Sequence, residues 1–204
     1  MKYLKILAIA TAAMALNTAL AAGTASASNL RIFGSAANLT VGTVIKASLE
    51  KETSTVLEDA FGLTSTTCTG STVEGKLERN TQEPVGGTGQ PRGKIAALTF
   101  SPCVDTVDIE AKGELEVRNI AGTTNGTVLS SGAKVKVFNT LFNQNCMATT
   151  SSTDIGTLTA ATSATSKATI DINGLITMEG CAASNARWTG KYEVTMPLGL
   201  VSEP

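Results

Sequence analysis

Four cysteines constrain this chain more than any other feature: Cys68, Cys103, Cys146 and Cys181. Four cysteines allow three pairings, and spacing selects one of them. Cys68 and Cys103 are 35 residues apart, and so are Cys146 and Cys181. The flanking residues agree. Leu98-Thr99-Phe100-Ser101-Pro102-Cys103 aligns without a gap on Ile176-Thr177-Met178-Glu179-Gly180-Cys181. With one residue of slack, Ala111-Lys112-Gly113-Glu114-Leu115-Glu116-Val117 then matches Trp188-Thr189-Gly190-Lys191-Tyr192-Glu193-Val194. The reading is an internal duplication, with one bridge, Cys68–Cys103, in a first half (28–122) and another, Cys146–Cys181, in a second (123–204). Each bridge closes a loop worth about 3–4 kcal/mol in the chain-entropy model. Metal ligation is the competing use of cysteine, but the sequence has no C-x-x-C pair and no histidine.

The N-terminus points to the compartment. Lys2 and Lys5 precede an apolar run from Ile6 to Leu20, and Ala25-Ser26-Ala27 offers a small-x-small cleavage site. Residues 1–27 therefore read as a signal peptide. The apolar run is too short for a good membrane span, and no cysteine stands at the cleavage point to carry a lipid. The expectation is a secreted protein, at the cell surface, outside the cell or in the periplasm, where disulfides form and persist.

The chain is 42% apolar but only 4% aromatic and 16% charged, with threonine its commonest polar residue. That composition favours strands. Alternation with a period of two recurs, most clearly in Arg187–Met196. Trp188, Gly190, Tyr192, Val194 and Met196 share one face there, and Arg187, Thr189, Lys191, Glu193 and Thr195 share the other. Gly86-Gly87, Asn125-Gly126, Ser131-Gly132 and Asn173-Gly174 punctuate the runs as turns. Ala47–Phe61 reads as strands in preference to a helix, and Thr81–Gly93 and Ala160–Lys167 read as loops. The expected fold is an all-β antiparallel β-sandwich, immunoglobulin-like or pilin-like, built from two disulfide-stapled halves.

Signals for chemistry are sparse. Without histidine, a Ser-His-Asp triad and imidazole metal sites are excluded. The run Gly86–Gly93 lacks the G-K-[ST] of a phosphate loop. Ser48-Leu49-Glu50-Lys51 and Ser131-Gly132-Ala133-Lys134 match S-x-x-K without its companion motifs. Asp105, Asp108 and Glu110 form the tightest acidic cluster. They are candidates for Ca2+ ligation or acid/base work, weighed against a solvated loop, which is the favoured reading. Asn38-Leu39-Thr40 and Asn125-Gly126-Thr127 are sequons read as turns. Trp188 and Tyr192 are read as core residues and not as a sugar-stacking platform. No cofactor and no metal are expected. A net charge of −1 gives no footprint for nucleic acid.

The signal segment, the paired cysteines, the apolar-Thr-apolar-x-x-Cys element and the closing Trp188-Thr189-Gly190-Lys191-Tyr192-Glu193-Val194 resemble a family of small exported all-β bacterial proteins described as protein activators of alkane oxidation. The resemblance spans Thr64 to Met196 and transfers no catalytic residue. It implies an extracellular accessory or surface role at hydrophobic interfaces. The Leu98–Cys103 and Ile176–Cys181 elements also resemble fimbrial subunits. A pilin domain, however, has one such bridge, and Asn29–Leu39 does not alternate as a donor strand does. The functional expectation is a secreted, non-enzymatic surface, matrix or binding protein whose partner is a hydrophobic substrate or a cell-surface or matrix component. The alternatives are an assembling fibre subunit and a carrier of apolar small molecules.

Overall fold

The computed structural model describes residues 28–59, 62, 65–80, 89–140 and 143–203. Residues 1–27, read above as a signal peptide, and most of Thr81–Gly93, read as a loop, lie outside the described residues. The described chain is all strand and loop. Its strands are β1 (Asn29–Ile32), β2 (Val44–Leu49), β3 (Thr55–Asp59), β4 (Ser65–Cys68), β5 (Ser71–Arg79), β6 (Arg92–Phe100), β7 (Thr106–Ala111) and β8 (Glu114–Asn119). They continue as β9 (Gly126–Ser131), β10 (Lys134–Asn139), β11 (Gln144–Thr149), β12 (Thr153–Thr159), β13 (Thr169–Glu179), β14 (Asn185–Met196) and β15 (Leu200–Glu203). The strand reading of Ala47–Phe61 holds as β2 and β3.

These strands do not form a sandwich. The antiparallel order β14-β2-β5-β6-β8-β9-β12-β13 returns to its start through the β13–β14 ladder, which closes an eight-stranded barrel. Alternating residues suit a sandwich and a closed sheet equally, because both present one apolar face. Closure is decided by pairing partners, and β14 shows how. Tyr192–Met196 pair with β2, whereas Ala186–Thr189 pair with β3. Gly190 stands at the changeover, where a Cβ would lie 2.9 Å from Thr55 Oγ1, so a side chain there would hold the two strands apart. β13 changes partner in the same way, from β12 (Thr169–Ile172) to β11 (Thr177–Glu179). The extra strands β3-β4 and β11-β10-β7 thus form an upper storey on the barrel.

Ladders cross freely between residues 28–122 and 123–204: β8 with β9, β14 with β2 and with β3, and β10 with β7. One apolar core therefore serves both storeys, and it includes Val128, Leu158, Ile172, Tyr192 and Val194. The β1–β15 ribbon plugs the lower end through Leu30 and Leu200. There the buried Asn80 accepts from Leu30 N at 2.7 Å and donates to the Leu30 and Leu39 carbonyls, each at 2.8 Å. The disulfides Cys68–Cys103 and Cys146–Cys181 both sit in the upper storey, at the ends of β4 and β6 and beside β11 and β13.

Two local expectations need correction. Met196 leaves the inward face of β14 and is 50% exposed, because a register shift between Val194 and Met196 breaks the alternation. Asn173-Gly174 makes no turn but lies inside β13, paired with Thr189 and Trp188 of β14. Ala160–Lys167 is the expected loop, and it is tied down. Ala161 is buried, as is Ala168 just beyond the loop, and Gly199 N donates to Ser166 O at 2.8 Å.

Candidate functional site

An eight-stranded barrel is just wide enough for side chains to fill it or for one small ligand to occupy it. Here the filling is incomplete. Inward positions of the upper storey and the barrel's mouth carry small residues, among them Ala133, Ala148, Ser130 and Thr150. Their short side chains leave a cavity of about 100 Å3, walled also by Leu57, Val73, Ile95, Leu98, Phe100, Val107, Val135, Ile155, Ile172, Ile176 and Trp188. For scale, an apolar cavity of about 150 Å3 stays dry and takes up benzene.

The cavity wall carries no charged side chain, and its hydroxyls are engaged with partners within the protein. Ser130 Oγ and Thr150 Oγ1 lie 3.0 Å apart, and Thr150 Oγ1 also accepts from Ala133 N at 3.1 Å. Tyr192 Oη donates to Ser71 Oγ at 3.0 Å. Burial holds the Tyr192 phenol above its ordinary range, only partly offset by its hydrogen bonding with Ser71 and Thr55. The Trp188 indole N–H donates to Thr55 Oγ1 at 2.8 Å. Phe100 meets the Trp188 ring edge-on, with centroids 6.2 Å apart and planes at 70°. With its polar groups already satisfied, the cavity offers a guest only apolar surface.

A second cavity of about 80 Å3 lies below, between Leu30, Leu77, Leu158, Val194 and Leu200. Arg92 reaches its margin, with its guanidinium 3.3 Å from both Glu114 and Glu116.

The acidic candidates do not converge. Asp105 is buried at the start of the turn into β7, where its Oδ1 accepts from Thr140 N at 3.3 Å and from Thr140 Oγ1 at 3.4 Å. Asp108 and Glu110 alternate outward on β7 and are exposed, with Lys136 of β10 opposite Asp108. The sequence places the three within six residues, but a strand of period two sends them to different surroundings. Among the described residues, no group of three His, Cys, Asp or Glu side chains is arranged to hold a metal ion.

The S-x-x-K matches fall across turns. Ser48 lies on β2 with Lys51 in the turn after it, and Ser131 and Lys134 flank the turn that leads from β9 to β10. The sequon asparagines are turn-builders: Asn38 Oδ1 accepts from Arg31 Nε at 2.7 Å, and Asn125 Oδ1 accepts from Ala160 N at 2.9 Å.

Comparison with protein-family models, with curated proteins and with solved structures gives no match. The cavity is the feature that sequence reasoning passed over. Its available signal was the scarcity of aromatic residues combined with small residues at Ser130 of β9, Ala148 of β11 and, just outside the strands, Ala133 and Thr150.

Proposed function

We propose that this chain is an exported, non-enzymatic carrier that binds one small apolar molecule inside its barrel. The observation that carries this reading is the cavity: apolar walls, no charged lining and hydroxyls already bonded within the protein. A guest there gains hydrophobic burial, about 25 cal/mol per Å2 of apolar surface, without competing for a polar partner. Export fits the reading of residues 1–27 and the two disulfides, which belong to an oxidising compartment. The corresponding segments of the two halves support descent from a duplicated unit whose halves close one barrel together. The resemblance to exported proteins that act at hydrophobic interfaces supports the same ligand class.

Trp188 is the only tryptophan in the chain and lines the cavity, so its fluorescence reports occupancy. Titration with 1-bromohexane, whose bromine quenches indole on contact, should give a saturable, one-site loss of Trp188 emission. Quenching that rises linearly without saturation, as for free indole in solution, would overturn the proposal.

A further inference from the structure

Among the described residues the wall is unzipped between β6 and β7, and this seam opens onto the cavity. β6 and β8 pair only from Arg92 to Lys94. Above that point the Ile95 N donates to the Gly113 carbonyl at 3.0 Å, and the ladder stops. From Ala96 to Phe100 the edge of β6 facing β7 has no strand partner, and among the described residues β7 pairs on one side only, with β10.

The counterpart of this seam is continuous. Where Gly190 keeps β14 extended, the ladder with β13 runs unbroken from Thr169–Glu193 to Thr177–Asn185. Gly113, the residue that aligns with Gly190, has φ at +72°, and a Cβ there would lie 2.4 Å from the Ser131 carbonyl oxygen. That left-handed turn breaks the strand into β8 and β7 and swings β7 away from β6. The upper end of β6 is drawn the other way. Thr69 N donates to Pro102 O at 2.9 Å, Val104 N donates to Thr67 O at 2.9 Å, and Cys68–Cys103 bonds the two segments covalently.

The result is a window about six residues, or roughly 20 Å, tall. It is closed below by the Ile95–Gly113 bond and above by the chain turning at Asp105. Three side chains that wall the cavity stand in it: Leu98 and Phe100 from β6 and Val107 from β7. All three are half-buried. Lys112 Nζ bonds the Ala96 carbonyl at 2.7 Å across the lower rim. A window closed at both ends gives an added strand no course to run through, whereas a small molecule passes side-on. The lower mouth is plugged by the β1–β15 ribbon.

We infer that the β6–β7 window is the entrance to the cavity and that Phe100, set between the window and Trp188, is its gate. This inference rests on the carrier reading above.

The test is to close the window. Were the β6–β8 ladder extended past its present end, Ala97 would face Ala111, so a disulfide between these two positions would draw β7 back against β6. In an oxidised Ala97→Cys/Ala111→Cys double variant, stopped-flow quenching of Trp188 by 1-bromohexane should show an association rate at least tenfold below wild type. Each single variant, which cannot bridge, should match wild type. Phe100→Ala needs no new bridge and should associate at least threefold faster than wild type. A bridged variant within twofold of its single-cysteine parents, or a Phe100→Ala rate unchanged from wild type, would overturn the window while leaving the carrier reading intact. Absence of saturable quenching in wild type itself would overturn both.

Discussion

The Trp188 indole N–H donates to Thr55 Oγ1, and the same hydroxyl donates to the Thr189 carbonyl, each at 2.8 Å. One threonine thus ties the β14 side chain in the cavity wall to the β14 backbone from the neighbouring strand. Thr55→Val keeps the shape and removes both bonds, leaving a part-buried indole N–H without its partner. The expected cost is about 1–3 kcal/mol in urea unfolding, with a shift in Trp188 emission. An unchanged midpoint and spectrum would show that water replaces the hydroxyl.

Filling the cavity separates binding from stability. Ala148 is buried on β11 and lines the cavity. Ala148→Leu should raise the apparent Kd for 1-bromohexane at least tenfold. Unfolding free energy should change by less than about 2 kcal/mol, since the added atoms occupy existing space. Unaltered binding would place the guest elsewhere.

The acidic residues should divide by burial. Asp105→Ala removes the acceptor of the Thr140 N–H and hydroxyl and should cost about 1–3 kcal/mol. Asp108→Asn and Glu110→Gln, both outward on β7, should each stay within about 0.5 kcal/mol. Calorimetry with CaCl2 should show no stoichiometric binding. A one-to-one isotherm lost in the Asp108 or Glu110 variant would establish the metal site that the geometry does not assemble.

Alkaline pH should act through Tyr192. Its phenol is held above the ordinary 10.0 by burial. The unfolded chain therefore ionises first, and the stability from the neutral phenol is present in full below pH 10. It is lost as pH climbs from there through the folded value. The only other tyrosine is Tyr3, so in a chain expressed from Ser28 onward absorbance at alkaline pH follows Tyr192 alone. Tyr192→Phe should flatten the fall in stability above pH 10. A fall as steep as that of wild type would assign it to other groups.

The bridges should prove additive and comparable. Paired Cys→Ser replacement at 68/103 or at 146/181 should each cost about 3–4 kcal/mol, since both close loops of 35-residue separation. Non-reducing peptide mapping should recover Cys68 with Cys103 and Cys146 with Cys181.

Much of the local structure was legible from the residues. Equal cysteine spacing selected the pairs that the structure bridges. Period-two alternation located β14, and the Ser131-Gly132 turn separated β9 from β10. These signals are short-range, and each strand carries its own.

The sequence by itself determined an all-strand chain with two matched disulfides and no imidazole chemistry. The tertiary structure decided that the sheet closes into a barrel, since alternation says which face is buried and not which strands meet around it. It also decided that Asp105 turns inward while Asp108 and Glu110 face water. The cavity and its window belong wholly to that level. They arise where small side chains on and beside β9 and β11 come together, and where two aligned glycines take different backbones. Gly190 stays extended within a closed ladder, and Gly113 turns left-handed and opens the wall.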